Sequence, residues 1–225
     1  GCAYFQVNQR AGRRVSAARA FLNPLKSRAN LRIETGVEVE QILFEGKRAT
    51  GVSFRRGDAR FTASARGEVV LATGAVGSPK LLQLSGIGDP RWLGEAGIAV
   101  HHALPGVGRN LQDHLQIRPI FKVSGVPTLN TQYANLIRRA WMGIEYALFR
   151  RGPMTMAPSQ LGAFAKSSPD YPTPNLQFHF QPLSLDKWGE GMHRFGAFTA
   201  SVCNLRPTSR GEIRVASADP VANPQ

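Results

Sequence analysis

The stretch that decides the fold prediction is Val69-Val70-Leu71-Ala72-Thr73-Gly74-Ala75-Val76-Gly77-Ser78-Pro79-Lys80-Leu81-Leu82-Gln83-Leu84-Ser85-Gly86-Ile87-Gly88. Its first four residues are continuously apolar, as in a strand buried on both faces of a layered α/β sheet. Ser78 suits a helix N-cap and Pro79 a first helical residue. Ligands of such sheets bind beyond the strand ends, and helix N-termini favour phosphate. The junction predicts a nucleotide site, with a plain strand-to-helix turn as the alternative.

The segments around this junction predict two kinds of architecture. Alternating apolar and polar residues predict strands with one solvent-exposed face. Such strands are expected at Leu31–Thr35, Val37–Phe44, Thr50–Arg56, Arg60–Ala65, Ile98–Ala103, Ile117–Val123, Leu161–Lys166, Leu176–Phe180 and Phe198–Asn204. We expect the last of these to pair with Glu212–Ala216. Short helices are expected at 15–22 and 90–96, and the longest at Tyr133–Phe149, whose apolar residues recur at helical spacing. We expect a mixed fold, α/β in the first part and α+β in the second, with a boundary near residues 110–114.

Composition narrows the class of protein. The chain has 225 residues, 42% of them hydrophobic and 19% charged, which suits a chain with a buried core. The sequence contains no run of 18 apolar residues, so it predicts no membrane-spanning helix. It also has no basic-then-apolar leader of the kind that a signal peptide needs, so no signal peptide is expected. The only two cysteines, Cys2 and Cys203, are too few for a disulfide framework or a zinc site. A reducing, cytoplasmic setting is the expectation.

The net charge of +13 raises a second class of function. A basic surface can bind nucleic acid or an acidic protein partner, so a non-catalytic basic binding module is the alternative to an enzyme. Basic residues are densest in the segment 10–32, before the first acidic residue, Glu34. Phe21 is the single aromatic residue among them, so the segment has no series of interleaved aromatic side chains to stack bases, and no nucleic-acid motif accompanies it. We therefore expect no nucleic-acid partner.

The spacing Gly74-Ala75-x-x-Ser78-Pro79-x-Leu81-Leu82-x-x-Ser85-Gly86-Ile87-Gly88 resembles the second signature of the glucose–methanol–choline (GMC) flavin oxidoreductases. Further segments similar to that family are Gly12–Ala17, Leu31–Gly36, Leu104–His114, Arg206–Gly211 and Ala216–Pro220. The resemblance implies a partial Rossmann-like FAD-binding domain over residues 1–112. It also implies a partial substrate-binding domain over 113–225, an antiparallel sheet with a helical layer.

The same resemblance implies a cofactor and a reaction. FAD accepts hydride from the carbinol carbon of an alcohol while a base removes the hydroxyl proton. Val39 falls where family members offer backbone hydrogen bonds to adenine. The segment Ala72, Thr73, Gly74 and Ala75 would lie beside the adenosine and pyrophosphate. The alternatives are an ordinary sheet residue at Val39 and a simple tight turn at Gly74.

Two residues bear on the substrate. Gln160 falls where choline-acting members of the family carry a glutamate, so the resemblance implies a neutral alcohol in place of choline; a strand-edge glutamine without a role is the alternative. His179 lies between Phe178 and Phe180 and faces away from both rings, so it can line the substrate cavity or be an ordinary sheet histidine. None of the five histidines is assigned as the catalytic base, and no metal site is expected.

The family also has motifs that this sequence does not contain. No Gly-x-Gly-x-x-Gly occurs, and nothing matches the C-terminal motifs that carry the catalytic histidine. The expectation is an internal piece of a longer enzyme, which alone neither holds FAD tightly nor oxidises an alcohol, and which self-associates if it exposes apolar surface. A lyase of the same family is a further alternative. The alcohol and the electron acceptor (oxygen, quinone or another carrier) stay open.

Overall fold

The computed structural model describes residues 1–187 and 189–225. Their α-helices are α1 (Gly74–Leu84), α2 (Pro90–Glu95), α3 (Leu129–Ala134) and α4 (Leu136–Phe149). Their strands are β1 (Cys2–Tyr4), β2 (Gln9–Arg10), β3 (Arg13–Arg14), β4 (Glu38–Glu45), β5 (Arg48–Arg56), β6 (Ala59–Ser64), β7 (Ile87–Gly88), β8 (His102–Ala103), β9 (Arg109–Leu111), β10 (Gln116–Ile117), β11 (Ile120–Lys122), β12 (Leu161–Ala165), β13 (Leu176–Gln181), β14 (Ala197–Asn204) and β15 (Gly211–Glu212). This mixture of helices and mainly antiparallel strands confirms the predicted mixed fold class.

The chain forms two compact units, each built from two separate segments. The first unit is Gly1–Leu31 with His114–Pro207, and the second is Arg32–Asp113 with Thr208–Gln225. The predicted boundary at 112/113 lies one residue from the central division. Residues 1–31, however, belong to the unit that contains 114–207, because β1 pairs with β12. Residues 208–225 belong to the unit that contains 32–113, because β15 pairs with β9. The assignment of FAD binding and substrate binding to residues 1–112 and 113–225 stays a prediction.

An antiparallel sheet organises the first unit. Its strand order is β1-β12-β13-β14-β10, with β11 also paired to β14. The strands predicted at 161–166, 176–180 and 198–204 are confirmed. The strand predicted at 117–123 is divided into β10 and β11, which flank Pro119. Proline has no backbone N–H to donate to a ladder, which explains the interruption.

The long helix predicted at 133–149 is observed as α4, which begins at Leu136, and the short helix α3 precedes it. Asn135 separates α3 from α4 in an extended conformation and caps α4, where its side chain accepts a 3.0 Å hydrogen bond from the backbone N–H of Arg138. The apolar stripe of α4 is exposed, and Ile137 is 82% accessible and Leu148 70%. Met142 is the buried residue of this helix. The helical spacing of apolar residues therefore predicted the helix correctly, but the apolar face of that helix is exposed rather than buried.

A three-stranded antiparallel meander, β4-β5-β6, begins the second unit and confirms the hairpins predicted from the sequence. Glu40 lies at an irregularity in β4 and is only 5% exposed. It forms ion pairs with Arg55 at 3.5 Å and with Arg60 at 2.6 Å. Two cations thus compensate the buried carboxylate. The helix predicted at 90–96 is confirmed as α2, which Asp89 caps through the backbone N–H of Arg91 at 3.0 Å.

The apolar run before α1 is not the buried strand that its composition predicts. Residues 68–73 have no strand assignment, and Val70 is 74% exposed. A strand buried on both faces needs neighbouring strands and covering layers, and no strand of the described residues pairs with this segment. The apolar character of the segment therefore predicted a strand that the described residues do not form.

Three further strand predictions are corrected. Residues 31–35 have no strand assignment, and the segment predicted at 98–103 contributes only β8, which pairs in parallel with β7. The strand predicted at 212–216 does not pair with β14. Its first residue, Glu212, belongs to β15, which pairs with β9 instead. In each case a short alternating segment predicted a strand, but the ladder partner decided the outcome.

Gln83 in α1 holds the second unit together. Its side chain has no accessible surface. Its Nε2 donates a 2.9 Å hydrogen bond to the carbonyl oxygen of Ile213, and its Oε1 accepts one of 2.9 Å from the backbone N–H of Val215. The core formed by Leu84, Ala96 and Val215 packs beside this link. The amide thus completes the hydrogen bonding of a backbone segment that has no full strand partner at this point.

None of the helices in the described part of the chain has the length and apolar character needed to cross a bilayer.

We predict that Gln83→Leu lowers the free energy of unfolding of the second unit by about 2–4 kcal/mol, because two buried backbone groups lose their partners. Urea denaturation followed by the emission of buried Trp92 measures this, in a background with Trp141 and Trp188 replaced by phenylalanine. Gln112→Leu, at an exposed position of the same unit, is the control. Equal midpoints for the two variants would contradict the role given to Gln83.

Candidate functional site

The predicted nucleotide turn lies at the N-terminus of α1. The helix begins at Gly74, four residues before the predicted cap Ser78, and Pro79 lies within it. Thr73 occupies the cap position but makes no capping hydrogen bond to the backbone. Its Oγ1 instead lies 3.0 Å from Oγ of Ser78. The first turn of this helix therefore has no side-chain cap from Thr73, and helix N–H groups without a cap are available to an anion.

Open space surrounds this turn. Gly74 has a φ of +83°, and a Cβ added there would meet no atom within 4 Å. Ala72, Thr73 and Ala75 are exposed as well. The positive φ explains the glycine, because other residues adopt it at a cost. Exposed backbone at a helix N-terminus fits a phosphate-bearing cofactor such as FAD.

Val39 lies in β4, an edge strand of the meander, half-buried and opposite Phe54. The strand and α1 are joined by two hydrogen bonds. Gln41 Nε2 donates to the carbonyl oxygen of Leu84 at 3.2 Å, and the backbone N–H of Ile42 donates to Oγ of Ser85 at 2.9 Å. The structure therefore joins the strand of Val39 to the C-terminal end of α1, while the turn at Gly74 lies at the other end of that helix.

The second half of the motif has a structural role that the sequence reasoning missed. Ser85 both donates through Oγ to the carbonyl oxygen of Leu81, at 2.6 Å, and receives the backbone N–H of Ile42. Gly86 has a φ of +78°, and a Cβ there would lie 2.5 Å from the carbonyl oxygen of Ala99. A Cβ at Gly88 would lie 3.3 Å from Cγ of Gln83. The positions after the helix are thus small or hydroxylated because the chain packs closely there.

In the segment 104–111, Gly108 lies beside α1 and Arg109 lies against α2. Gly108 has a φ of +83°, and a Cβ there would overlap the carbonyl oxygen of Ile213. Arg109 lies against Trp92, with its guanidinium carbon 4.3 Å from the ring centroid, and donates a 2.8 Å hydrogen bond to Asp89. That hydrogen bond is the main reason why the pKa of Asp89 is lowered; backbone N–H donors add to it, and desolvation opposes it.

The two predicted substrate residues belong to the sheet of the first unit. His179 is half-buried in β13, opposite Gly162 and Ser201, and its ring lies 5.0 Å from that of Phe5. It lines a cavity of about 410 Å³, and its role toward a substrate stays a prediction. Gln160 is half-buried, and its Nε2 is buried without a hydrogen-bond partner. His179 thus lies in β13 and Gln160 immediately precedes the neighbouring strand β12, but only His179 lines the cavity.

A Ser-His-Asp chain in the first unit deserves comparison with a catalytic triad. Oγ of Ser184 lies 3.0 Å from Nδ1 of His193, and Nε2 of His193 lies 3.2 Å from Asp186. Ser184 has no accessible surface, however, and its Oγ accepts a 3.0 Å hydrogen bond from Asn130. A nucleophile must reach its substrate, so this chain is structural. The side chain of His193, which belongs to this network, is 20% exposed.

The residues described include no group of three or more His, Cys, Asp or Glu side chains that could hold a metal ion.

A helix N-terminus that follows a glycine turn and has no side-chain cap is a feature with which nucleotide-binding α/β folds hold phosphate. The GMC oxidoreductase family model matches residues 1–116. The chain belongs to the GMC oxidoreductase family.

Two curated relatives have similar sequences. The chain is 42% identical, over 95% of its length, to the oxygen-dependent choline dehydrogenase of Burkholderia pseudomallei (strain 1710b), of which it covers 38%. It is 40% identical, over its full length, to the alcohol dehydrogenase [acceptor] of Pseudomonas putida, of which it covers 41%. The chain therefore spans about two fifths of the length of these relatives.

Two solved structures share the fold. A FAD-dependent oxidoreductase from Chaetomium thermophilum superimposes with a TM-score of 0.85 at 26% identity, over all of this chain and 46% of that one. Pyridoxine 4-oxidase from Mesorbium loti superimposes with a TM-score of 0.77 at 25% identity, over 99% of this chain and 40% of that one.

We predict that Arg109→Gln raises the pKa of Asp89 toward that of an ordinary aspartate. The lowered pKa in the folded state means that this interaction stabilises the fold above the unfolded-state pKa and loses its effect as the pH falls through the folded-state pKa. Carboxyl carbon NMR titration measures the shift directly. Arg91→Gln, which leaves the Arg109–Asp89 contact intact, should leave the pKa of Asp89 unchanged; the same shift in both variants would contradict the assignment.

Proposed function

We propose that this chain is part of a FAD-dependent enzyme that oxidises the CH–OH group of an alcohol. The observation that carries the proposal is the turn at Thr73–Ala75, which combines the family signature with an exposed backbone and an uncapped helix N-terminus. The relatives named as choline dehydrogenase and alcohol dehydrogenase support the reaction class. When bound, the flavin would supply the hydride acceptor, and no residue of this chain is assigned as the base.

In this proposal the residues of the second unit bind the cofactor. Ala72, Thr73, Gly74 and Ala75 would lie beside the adenosine and pyrophosphate, where the helix N-terminus stabilises negative charge. Gly74 suits this role because its missing side chain leaves the backbone approachable. Val39 would offer backbone hydrogen bonds to the adenine from an edge strand, which has one side without a strand partner.

The residues of the first unit would bind the alcohol. We propose Gln160 and His179 as substrate residues, and a neutral alcohol in place of choline as the substrate. A quaternary ammonium is stabilised by a carboxylate in a site with little water, and a glutamine amide carries no charge. The support for Gln160 is its place in the family pattern, immediately before β12, and the support for His179 is its place in the cavity lining.

We also propose that the 225-residue chain alone does not retain FAD or oxidise an alcohol. Its sequence contains no Gly-x-Gly-x-x-Gly to hold the pyrophosphate and no assigned base. Purification of the chain and a visible spectrum test this: we expect no flavin absorbance near 450 nm. A yellow protein would contradict the proposal. Specific, salt-dependent retention on a nucleic-acid column would instead favour the basic binding module.

For the flavin-loaded enzyme that contains this chain, we predict that Gly74→Val weakens FAD binding about tenfold or more. The side chain fills the space through which the cofactor would approach the backbone. Fluorescence titration of the deflavinated protein with FAD measures the dissociation constant.

Gly57→Val is the matched control for this prediction. Gly57 also has a positive φ, +57°, and open space around its Cβ position, so the two variants share the backbone strain. Gly57 lies in the hairpin turn between β5 and β6. Equal losses of FAD affinity in the two variants would overturn the proposed role of Gly74 and leave only a shared effect of strain.

Self-association and a cytoplasmic location remain parts of the proposal. The exposed apolar residues of α4, including Trp141 at 60% accessible surface, support self-association of the chain. Both cysteines are free, Cys2 exposed and Cys203 buried, which is compatible with a reducing compartment.

A further inference from the structure

The cavity beside His179 contains a buried polar group that the proposed function does not use. The cavity lies in the first unit, has a volume of about 410 Å³, and is lined by Phe5, Ser159, His179 and Gln181 among others. Gln181 is only 6% exposed. Its side chain lies at the end of β13, two residues from His179, so strand alternation places both residues on the same face of the sheet.

One end of the Gln181 amide contacts Ser159, and the other end has no hydrogen-bond partner. Its Nε2 donates a 3.1 Å hydrogen bond to Oγ of Ser159 on the neighbouring segment. Its Oε1 is buried and has no hydrogen-bond partner. A buried acceptor without a partner destabilises the unliganded state, so a ligand that supplies the missing donor gains more than it would at a solvated group.

A second unpartnered group lies on the same face. Ser201, 1% exposed, stands opposite His179 on β14, and its Oγ is also buried without a partner. The residue opposite Gln181 is Thr199, whose hydroxyl is already satisfied by donating to the carbonyl oxygen of Leu183 at 2.8 Å. The unsatisfied polar atoms of this face are thus concentrated around His179, next to the apolar ring of Phe5.

We propose that Oε1 of Gln181 accepts a hydrogen bond from a hydroxyl group of the ligand in this cavity, and that Gln181 is therefore a specificity-determining residue for an uncharged alcohol with a compact apolar body. The identification of this ligand as the substrate rests on the proposed function. Any alcohol supplies the hydroxyl donor, so the preference for an uncharged body rests on the lining: no acidic side chain that could stabilise a quaternary ammonium is among the described residues that line the cavity. The apolar body would pack against Phe5.

Three probes of similar shape test the proposal by equilibrium binding to the 225-residue chain. Benzyl alcohol can donate a hydrogen bond, benzyl methyl ether can only accept one, and benzyltrimethylammonium carries a positive charge without a donor. The side-chain amide signal of Gln181 in ¹⁵N-correlated NMR spectra reports binding at this position. We expect benzyl alcohol to bind about fivefold more tightly than the ether, the effect of one additional hydrogen bond, and the ammonium to bind no better than the ether.

The variants separate Gln181 from the rest of the sheet. Gln181→Leu should abolish the preference for the alcohol over the ether, with binding followed through the amide signals of neighbouring backbone groups. Gln181→Glu keeps an acceptor oxygen and should preserve that preference. Gln177→Leu, on the same strand but outside the cavity lining, should leave it unchanged. Ser159→Ala keeps Gln181 but frees its amide to rotate, so the preference should weaken even if Gln181→Leu fails to fold.

Equal affinities of the native chain for alcohol and ether, or an unchanged preference in Gln181→Leu, would overturn the inference. These measurements need no turnover. If the flavin-loaded enzyme oxidises no alcohol while the binding preference is present, the proposed function fails and the hydroxyl-binding role of Gln181 stands. If alcohols are oxidised but the preference is absent, the inference about Gln181 alone fails.

Discussion

The buried amide of Gln83 is the constraint on which the second unit depends. A single side chain satisfies both a carbonyl and an N–H of the segment 213–215, so α1 is bonded to a segment that lies about 130 residues further along the chain. Gly108 is required next to it, because any side chain there would collide with Ile213. Lys80, one turn earlier on the same helix, donates to the carbonyl oxygen of Pro220 at 2.7 Å. The orientation of α1, and with it the turn at Gly74, follows from these attachments.

This arrangement gives the family signature two separate meanings. The residues from Ser85 to Gly88 are determined by packing: a hydroxyl that links helix and strand, and glycines at close approaches of the backbone. The residues from Thr73 to Ala75 are exposed and meet no comparable packing demand. Glycine at position 74 is explained by its positive φ, but the open space around it has no structural use within the described residues. The C-terminal part of the motif thus fixes the position of α1 by packing, while its N-terminal part leaves an exposed surface that is open to a ligand.

The sequence predicted strands correctly where the strands that pair are also neighbours along the chain. The meander β4-β5-β6 and the strands β12 and β13 were predicted nearly to the residue, because turns at Gly46 and Gly57 and strict alternation leave few alternatives. It failed where a distant partner decides. The apolar run 69–72 predicted a buried strand that is in fact exposed, and the pairing of β15 with β9 bridges about a hundred residues. For the site, the sequence indicated the turn and His179. It could not indicate Gln181, because the isolation of its Oε1 arises only when Ser159 takes its Nε2.

The interleaving of the two units has a consequence for how the polypeptide matures on the ribosome. Residues 1–31 emerge first, but their strand partner β12 is made only after the whole of 32–113 has been translated. The segment 32–113 in turn waits for residues 208–225 before its helix α1 finds the backbone it bonds. Until these later segments are translated, the earlier ones lack their partners, and closing the long connections between them costs entropy. Removal of residues 208–225 would therefore damage a unit that starts at Arg32.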